Sequence, residues 1–231
     1  MQNNHVKNAE ELALMRRAAE ITDEVYDYVL SLVREGVTER EVADAILEKT
    51  LELGASGVSF DTIVAFGAGG AEPHHVPSDK KLEKGMFVTV DMGAVVGGYC
   101  SDFTRTFAFG DVDAEQLRVY ETVYEAQKRG MAAVADGVPC RTADAACRDF
   151  ITERGYGEFY IHGTGHGVGT EIHEPPTLNA KSEETLVAGQ VVTVEPGIYI
   201  PKRFGVRIED MVQVGEGRPF SKHKTELITL R

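Results

Sequence analysis

Apolar residues recur at helical intervals through the first third of the chain. From Asn8, AEELALMRRAAEITDEVYDYVLSLV sets Leu12, Met15, Ala19, Thr22, Val25 or Tyr26, Val29 and Val33 along one face, which predicts a helix closed by Glu35-Gly36. Thr38 with Glu41 three residues on is a capping-box signature for a second helix, ended by Gly54. Ser59–Phe66 then reads as a strand, and GAGGAEPHHVPSDKKLEKG as a loop. The helical period returns from Ala114 to about Ala135 and from Arg141 to Glu153, before Gly155-Tyr156-Gly157 breaks it. The short apolar piece Phe159-Tyr160-Ile161, the glycine-rich run HGTGHGVG (162–169) and IHEPPTLN, expected as an irregular loop, complete the connections.

Two stretches carry β-formers on both sides of a turn. The first is MFVTVDMGAVVGGYCSDFTRTFAF (86–109), and the second is VVTVEPGIYIPKRFGVRIED (191–210). A turn centred between Val96 and Gly97 sets Asp91 opposite Asp102. In the second stretch Glu195 and Glu209 are symmetric about Lys202. The hairpins also overlay: LEKGMFVTVDMG (82–93) on LVAGQVVTVEPG (186–197) matches Asp91 to Glu195, and GVTEREVADAILEKTLELG (36–54) aligns with GVPCRTADAACRDFITERG (137–155). An internal repeat of about a hundred residues predicts two related halves that share one centre. Helices leading each half and antiparallel strands ending it give an α+β class with helices outside a curved sheet.

Cross-strand neighbours lie about 4.5–5.5 Å apart at Cβ. Carboxylates so placed in a half-buried sheet repel, and a divalent cation between them resolves the repulsion. Solvated strand acids are the ordinary reading of any one of the four; two symmetric pairs in duplicated hairpins favour a site. His166, among glycines, supplies a closing imidazole. Four carboxylates and one imidazole suit a pair of Mn²⁺, Co²⁺ or Zn²⁺ ions, the usual arrangement of a hydrolytic dinuclear centre. His74 and His75 in PHHVP, and His162 and His173 flanking His166, are the remaining clustered histidines, able to stabilise an oxyanion or hold a substrate carbonyl. His5 and His223, near the ends, read as surface residues. FGAGGAE and HGTGHGVG match neither GxGxxG nor GxxxxGK[ST], so they are read as backbone passing beside metals and substrate rather than as phosphate cradles.

Bulk properties narrow the partners. A chain of 231 residues with 42% apolar and 26% charged residues is ordinary for a globular protein, and the repeat favours one domain over two. A net charge of −13 disfavours nucleic acid and anionic membranes. Three cysteines without a CxxC pair exclude a disulfide framework, and Cys140 and Cys147 are expected as small apolar helix residues. No apolar run reaches membrane-spanning length and the start MQNNHVKN is not a signal peptide, so a cytoplasmic protein is expected.

PHHVPSDKKLEKGMFVTVDMGAVVGGYCSDFTRTFAFG, GTGHGVGTEIHEPP and TVEPGIYIPKRFGVRIED resemble the signatures of the pita-bread metallopeptidases, nearest the Xaa-Pro aminopeptidase and prolidase branch. The resemblance runs from about Asn8 to Leu230. It implies the pita-bread fold and a dinuclear site of Asp91, Asp102, His166, Glu195 and Glu209, with Mn²⁺ the first choice of ion. In it Asp102 and Glu209 bridge, Asp91 serves one ion, and His166 and Glu195 the other. It also implies catalytic roles for His74, His173 and Glu195, and substrate-binding or bracing roles for His75, His162, Tyr199 and Arg207. The expected substrate is a peptide with proline in second position. The short interval between Glu195 and Glu209 favours this branch over methionine aminopeptidase, and the intact ligand set disfavours a catalytically silent binding module or a metal-free C–N hydrolase. Residues 1–8 are expected to be a lead-in or cloning scar and 9–231 a single catalytic domain. The N-terminal domain usual in the branch, which helps form its homodimer, is expected to be absent.

Overall fold

A computed structural model describes residues 5–231; residues 1–4 of the expected lead-in lie outside the described residues. Four α-helices run as α1 (Ala9–Leu32), α2 (Glu39–Glu52), α3 (Ala114–Ala133) and α4 (Cys140–Glu153). The strands are β1 (Gly57–Val58), β2 (Ile63–Phe66), β3 (Met86–Met92), β4 (Ala94–Val96), β5 (Tyr99–Cys100), β6 (Phe103–Phe109), β7 (Gly165–Gly167), β8 (Glu174–Leu178), β9 (Val191–Val194), β10 (Gly197–Ile200), β11 (Phe204–Arg207), β12 (Glu209–Gln213) and β13 (Thr229–Leu230). Both expected first-half helices form where the caps place them. Asn8 and Thr38 each close a capping box, with Glu11 and Glu41 respectively.

The main sheet has the order β2-β3-β6-β12-β9-β7-β8, with β13 joining β6 in parallel. Its centre is the pair β6–β12, and outward from there β3 and β2 on one side mirror β9 and β7 on the other. The backbone repeats the same frame in each half. Leu82 N–H donates to Val37 O at 2.8 Å, and Leu186 N–H to Val138 O at 2.9 Å; Gly36 N–H donates to Leu82 O, and Gly137 N–H to Leu186 O, both at 2.9 Å. Each half keeps its own buried cluster: α1 and α2 close over Val64, Val88, Val90 and Phe107, while α3 and α4 close over Val192, Val194, Ile198 and Val206. The two-half α+β architecture expected from the repeat is therefore present, and Cys140 and Cys147 are fully buried in its second helix pair.

Four local expectations need correction. The first hairpin turns on Gly97-Gly98, both at positive φ, so Val96 pairs with Tyr99 and Asp91 with Thr104 rather than with Asp102. The second hairpin keeps its expected register, with Lys202 at φ +62° at the tip. Ser59–Thr62 lies outside the strand that begins at Ile63. The expected loop IHEPPTLN contains β8, which its prolines permit because it is an edge strand paired only to β7. His223 is not a surface residue: its ring packs edge-on against Tyr26 at 4.9 Å, and its side chain is 15% exposed.

Candidate metal centre and active site

The sheet's central strands converge their acids on one spot. Asp91 is the last residue but one of β3, Asp102 immediately precedes β6, Glu209 opens β12 and Glu195 follows β9. The first three are nearly or fully buried. Because side chains alternate across a strand, Thr104 shares a face with Asp102 and donates its hydroxyl to Glu209 Oε2 at 2.6 Å. His166 sits in β7. Its Nε2 lies 3.6 Å from Asp102 Oδ2 and 3.4 Å from Glu195 Oε1. Ligand atoms of Asp102, His166 and Glu209 all fall within 4.8 Å of one another.

The electrostatics of this cluster suit a cation. His166 Nδ1–H donates to Gly167 O at 3.0 Å, so a neutral ring turns the Nε2 lone pair toward carboxylate oxygens. Burial holds that ring neutral down to about 4, so a proton does not relieve the contact. Burial, then repulsion from Asp91 and from Glu195, raises Asp102 well above the usual carboxylate range; Glu209 is raised by burial and by Asp102, and Glu195 is pushed to about 8 by burial. Asp91 Oδ1 is buried without a hydrogen-bond partner among the described residues. A buried carboxylate oxygen left open and an imidazole lone pair aimed at carboxylates fit hard divalent cations.

A bracing chain stands behind Asp91. Arg207 Nη2 donates to Asp91 Oδ2 at 2.7 Å and Nη1 to the Tyr199 hydroxyl at 2.9 Å. Burial raises Tyr199 to about 12, so it keeps its proton and donates it to His162 Nε2 at 2.7 Å. His162 Nδ1–H in turn donates to Gly163 O at 2.7 Å, and burial keeps the ring neutral down to about 4. The chain holds a full positive charge on one side of Asp91 and leaves its other oxygen free.

A cavity of about 840 Å³ opens on the cluster. Exposed His74 and His173 stand at its wall, and the His173 ring lies edge-on to His166 with centroids 4.2 Å apart. Phe60, Val76 and Ile172 give it an apolar side. His74 follows β2 and His173 follows β7, so each half supplies one histidine from the equivalent loop. His75 borders the cavity, but its Nε2 is turned away to Glu39 at 2.9 Å. Among the sequence candidates, Asp91, Asp102, His166, Glu195, Glu209, His162, Tyr199 and Arg207 come together, with His74 and His173 facing them.

The glycine-rich run passes beside the cluster, with Gly163 and Gly165 lining the cavity. It has a second use as well: a Cβ on Gly165 would lie 2.0 Å from Thr193 O, so the glycine also lets β7 press on its neighbouring strand. Sequence reasoning also passed over Thr104, Thr193 and Glu39. The only signal for the first two is that each shares a strand face with a site acid two positions away; Glu39 gave none.

Known proteins share this fold and sequence. Residues 13–216 match metallopeptidase family M24. The chain is 44% identical over 222 residues to an Xaa-Pro dipeptidase of Pyrococcus furiosus, covering 96% of this chain and 64% of that protein. It superposes on an Xaa-Pro dipeptidase from Bacillus anthracis with a TM-score of 0.96 at 46% identity, covering 98% of this chain and 64% of that one. An X-Pro aminopeptidase from Thermotoga maritima superposes at 0.95 with 37% identity, over 99% and 66% respectively. The chain thus spans about 64% of the length of the first curated relatives it matches. With the acid-and-histidine cluster in place on the same fold, this chain belongs to metallopeptidase family M24.

Proposed function

We propose that residues 9–231 form a catalytic domain that hydrolyses the bond between an N-terminal residue and proline, with two divalent cations held by Asp91, Asp102, His166, Glu195 and Glu209. The observation that carries the reading is the open Asp91 oxygen beside a buried ring of acids closed by His166. The names of the relatives, Xaa-Pro dipeptidase and X-Pro aminopeptidase, support the choice of proline. Bound cations would lower the pKa of a water and polarise the scissile carbonyl. Glu195, less buried than Glu209, is placed to take a proton from the attacking water and return it to the leaving nitrogen. His74 and His173 donate to the carbonyl oxygen as its charge develops. Arg207 and Tyr199 hold Asp91 in one orientation, and the apolar wall of Phe60, Val76 and Ile172 fits a proline ring whose amide has no N–H to recognise.

The test is hydrolysis of Ala-Pro and Ala-Pro-Ala by metal-stripped protein and after adding Mn²⁺, Co²⁺ or Zn²⁺, with Met-Ala-Ser as the competing substrate. Release of alanine only with metal, highest with Mn²⁺ and lost in Asp102→Ala, is the expected result. Preference for Met-Ala-Ser would move the chain to a methionine aminopeptidase reading. Failure to bind any of the three ions would remove the centre itself.

A further inference from the structure

Glu39 is a fully buried carboxylate outside the metal centre. It is the first residue of α2, and four donors converge on it. Phe66 N–H reaches Oε1 at 2.8 Å; His75 Nε2–H at 2.9 Å, Ser78 N–H at 2.9 Å and the Ser78 hydroxyl at 2.7 Å reach Oε2. Every donor belongs to the segment 66–78, which leaves β2, passes His74 at the cavity wall and returns toward β3. The end of that segment and the residues just after it answer the free N–H groups at the start of α2: Arg40 N–H donates to Ser78 O at 3.1 Å and Glu39 N–H to Lys80 O at 3.2 Å. His74 is thereby held between a donor immediately after it, at His75, and anchors at Phe66 and Ser78.

The second half shows that the fold does not require this carboxylate. Its equivalent helix start is built on the same frame, where Cys140 N–H donates to Glu184 O at 2.9 Å as Glu39 N–H does to Lys80 O. The residue there is Cys140, buried at the edge of the apolar cluster with the Ser182 side chain beside it. The repeat keeps the backbone and changes the side chain. What distinguishes the first half is how its histidine-bearing loop is held: the equivalent loop of the second half, at His173, is tied at Glu174 by Lys7 instead.

We propose that Glu39 is a positioning residue for catalysis: it fixes segment 66–78 so that His74 faces the scissile carbonyl, and His75 is part of that clamp rather than a substrate ligand. The inference rests on the peptidase reading above. The four donors are shared between the two carboxyl oxygens of Glu39, one on Oε1 and three on Oε2, so each finds an acceptor. An amide in its place turns an NH₂ group against either Phe66 N–H or the Ser78 and His75 donors, and the loop must shift to relieve it.

The experiment compares Glu39→Gln, the milder Ser78→Ala, His74→Ala and the double variant Glu39→Gln/His74→Ala in the Mn²⁺-loaded protein. In Glu39→Gln, kcat on Ala-Pro-Ala is expected to fall about 10-fold to 100-fold, less than the about 100-fold to 1,000-fold for losing an oxyanion donor outright, because His74 is displaced rather than removed. KM and the Mn²⁺ affinity read by calorimetry should change by less than about 3-fold. Ser78→Ala should fall in the same direction by a smaller factor. The double variant should be no slower than His74→Ala alone, because Glu39 acts only through His74. Full activity in Glu39→Gln, losses that multiply in the double variant, or loss of Mn²⁺ affinity together with kcat would each overturn the proposal. Failure of the peptidase reading shows elsewhere: the unsubstituted protein would bind Mn²⁺ and cleave nothing.

Discussion

At the scale of single residues, the metal centre is a set of groups whose protonation in the fold differs from that in the unfolded chain. Glu195 is raised to about 8, chiefly by burial, and Asp102 and Glu209 are raised well above the ordinary range. Unfolded, all three ionise near pH 4. His162 and His166 are held neutral down to about 4, against about 6.5 unfolded. The histidines lose stability as pH falls from 6.5 to 4. The carboxyls lose it as pH rises toward 8, because the native state holds protons that the unfolded state has released. Of these groups, only the carboxyls contribute above pH 6.5. Metal-stripped protein is therefore expected to unfold at lower urea concentration at pH 8.5 than at pH 6.5, and Mn²⁺ to stabilise it more at pH 8.5. Equal urea midpoints for the stripped protein at the two pH values would contradict this account.

At the scale of elements, the site depends on how closely backbones approach. The turn at Gly67–Ala71 packs against β11, which carries Arg207, and a Cβ on Gly205 would lie 1.9 Å from Gly70 O. Backbone, not a flexible side chain, blocks that space. Gly205→Ala is expected to cost about 3 kcal/mol, the upper part of the range for overpacking, and to weaken Mn²⁺ binding through Arg207 and Asp91. Gly57→Ala, with nothing within 4 Å of the added carbon, should leave the urea midpoint unchanged. Such contacts also mark where the sequence stops being legible. The helix starts could be read because a capping box is local, and the Glu195/Glu209 register because the hairpin is symmetric about its tip. The Asp91 register could not: two glycines and two valines offered two turn centres, and the choice between them is made by strands β1, β4 and β5 pairing elsewhere. The acids were found as a group because the repeat doubled them. Glu39 was not found, since the repeat replaces it with Cys140 and its donors come from residues 27 to 39 positions away.

Across the whole molecule, the two halves are tied at the back of the centre by Arg105, which is 2% exposed and uses all five of its donors. Nη1 donates to Glu209 O at 2.6 Å and to Thr104 O at 3.0 Å. Nη2 donates to Asp210 Oδ1 and His223 O, both at 2.8 Å, and Nε donates to Lys224 O at 3.3 Å. The residues at 221–230 then continue across both halves. Ser221 and Lys222 bond Asp23 of α1, Tyr120 of α3 donates to Thr225 O at 2.9 Å, and β13 extends the sheet beside β6. Removing the guanidinium leaves Asp210 buried with Gln127 as its one side-chain donor among the described residues. Arg105→Met is expected to cost about 3–5 kcal/mol for the broken buried pair. Arg105→Met/Asp210→Leu should recover only part of it, because the carbonyls of Thr104, Glu209, His223 and Lys224 remain without their donor. Deleting residues 221–231 should destabilise the parent more than it destabilises Arg105→Met, because the strap has already lost its central anchor. Urea midpoints for the parent, each single change and the two combinations decide it: strictly additive losses would mean that the strap and Arg105 stabilise the halves independently.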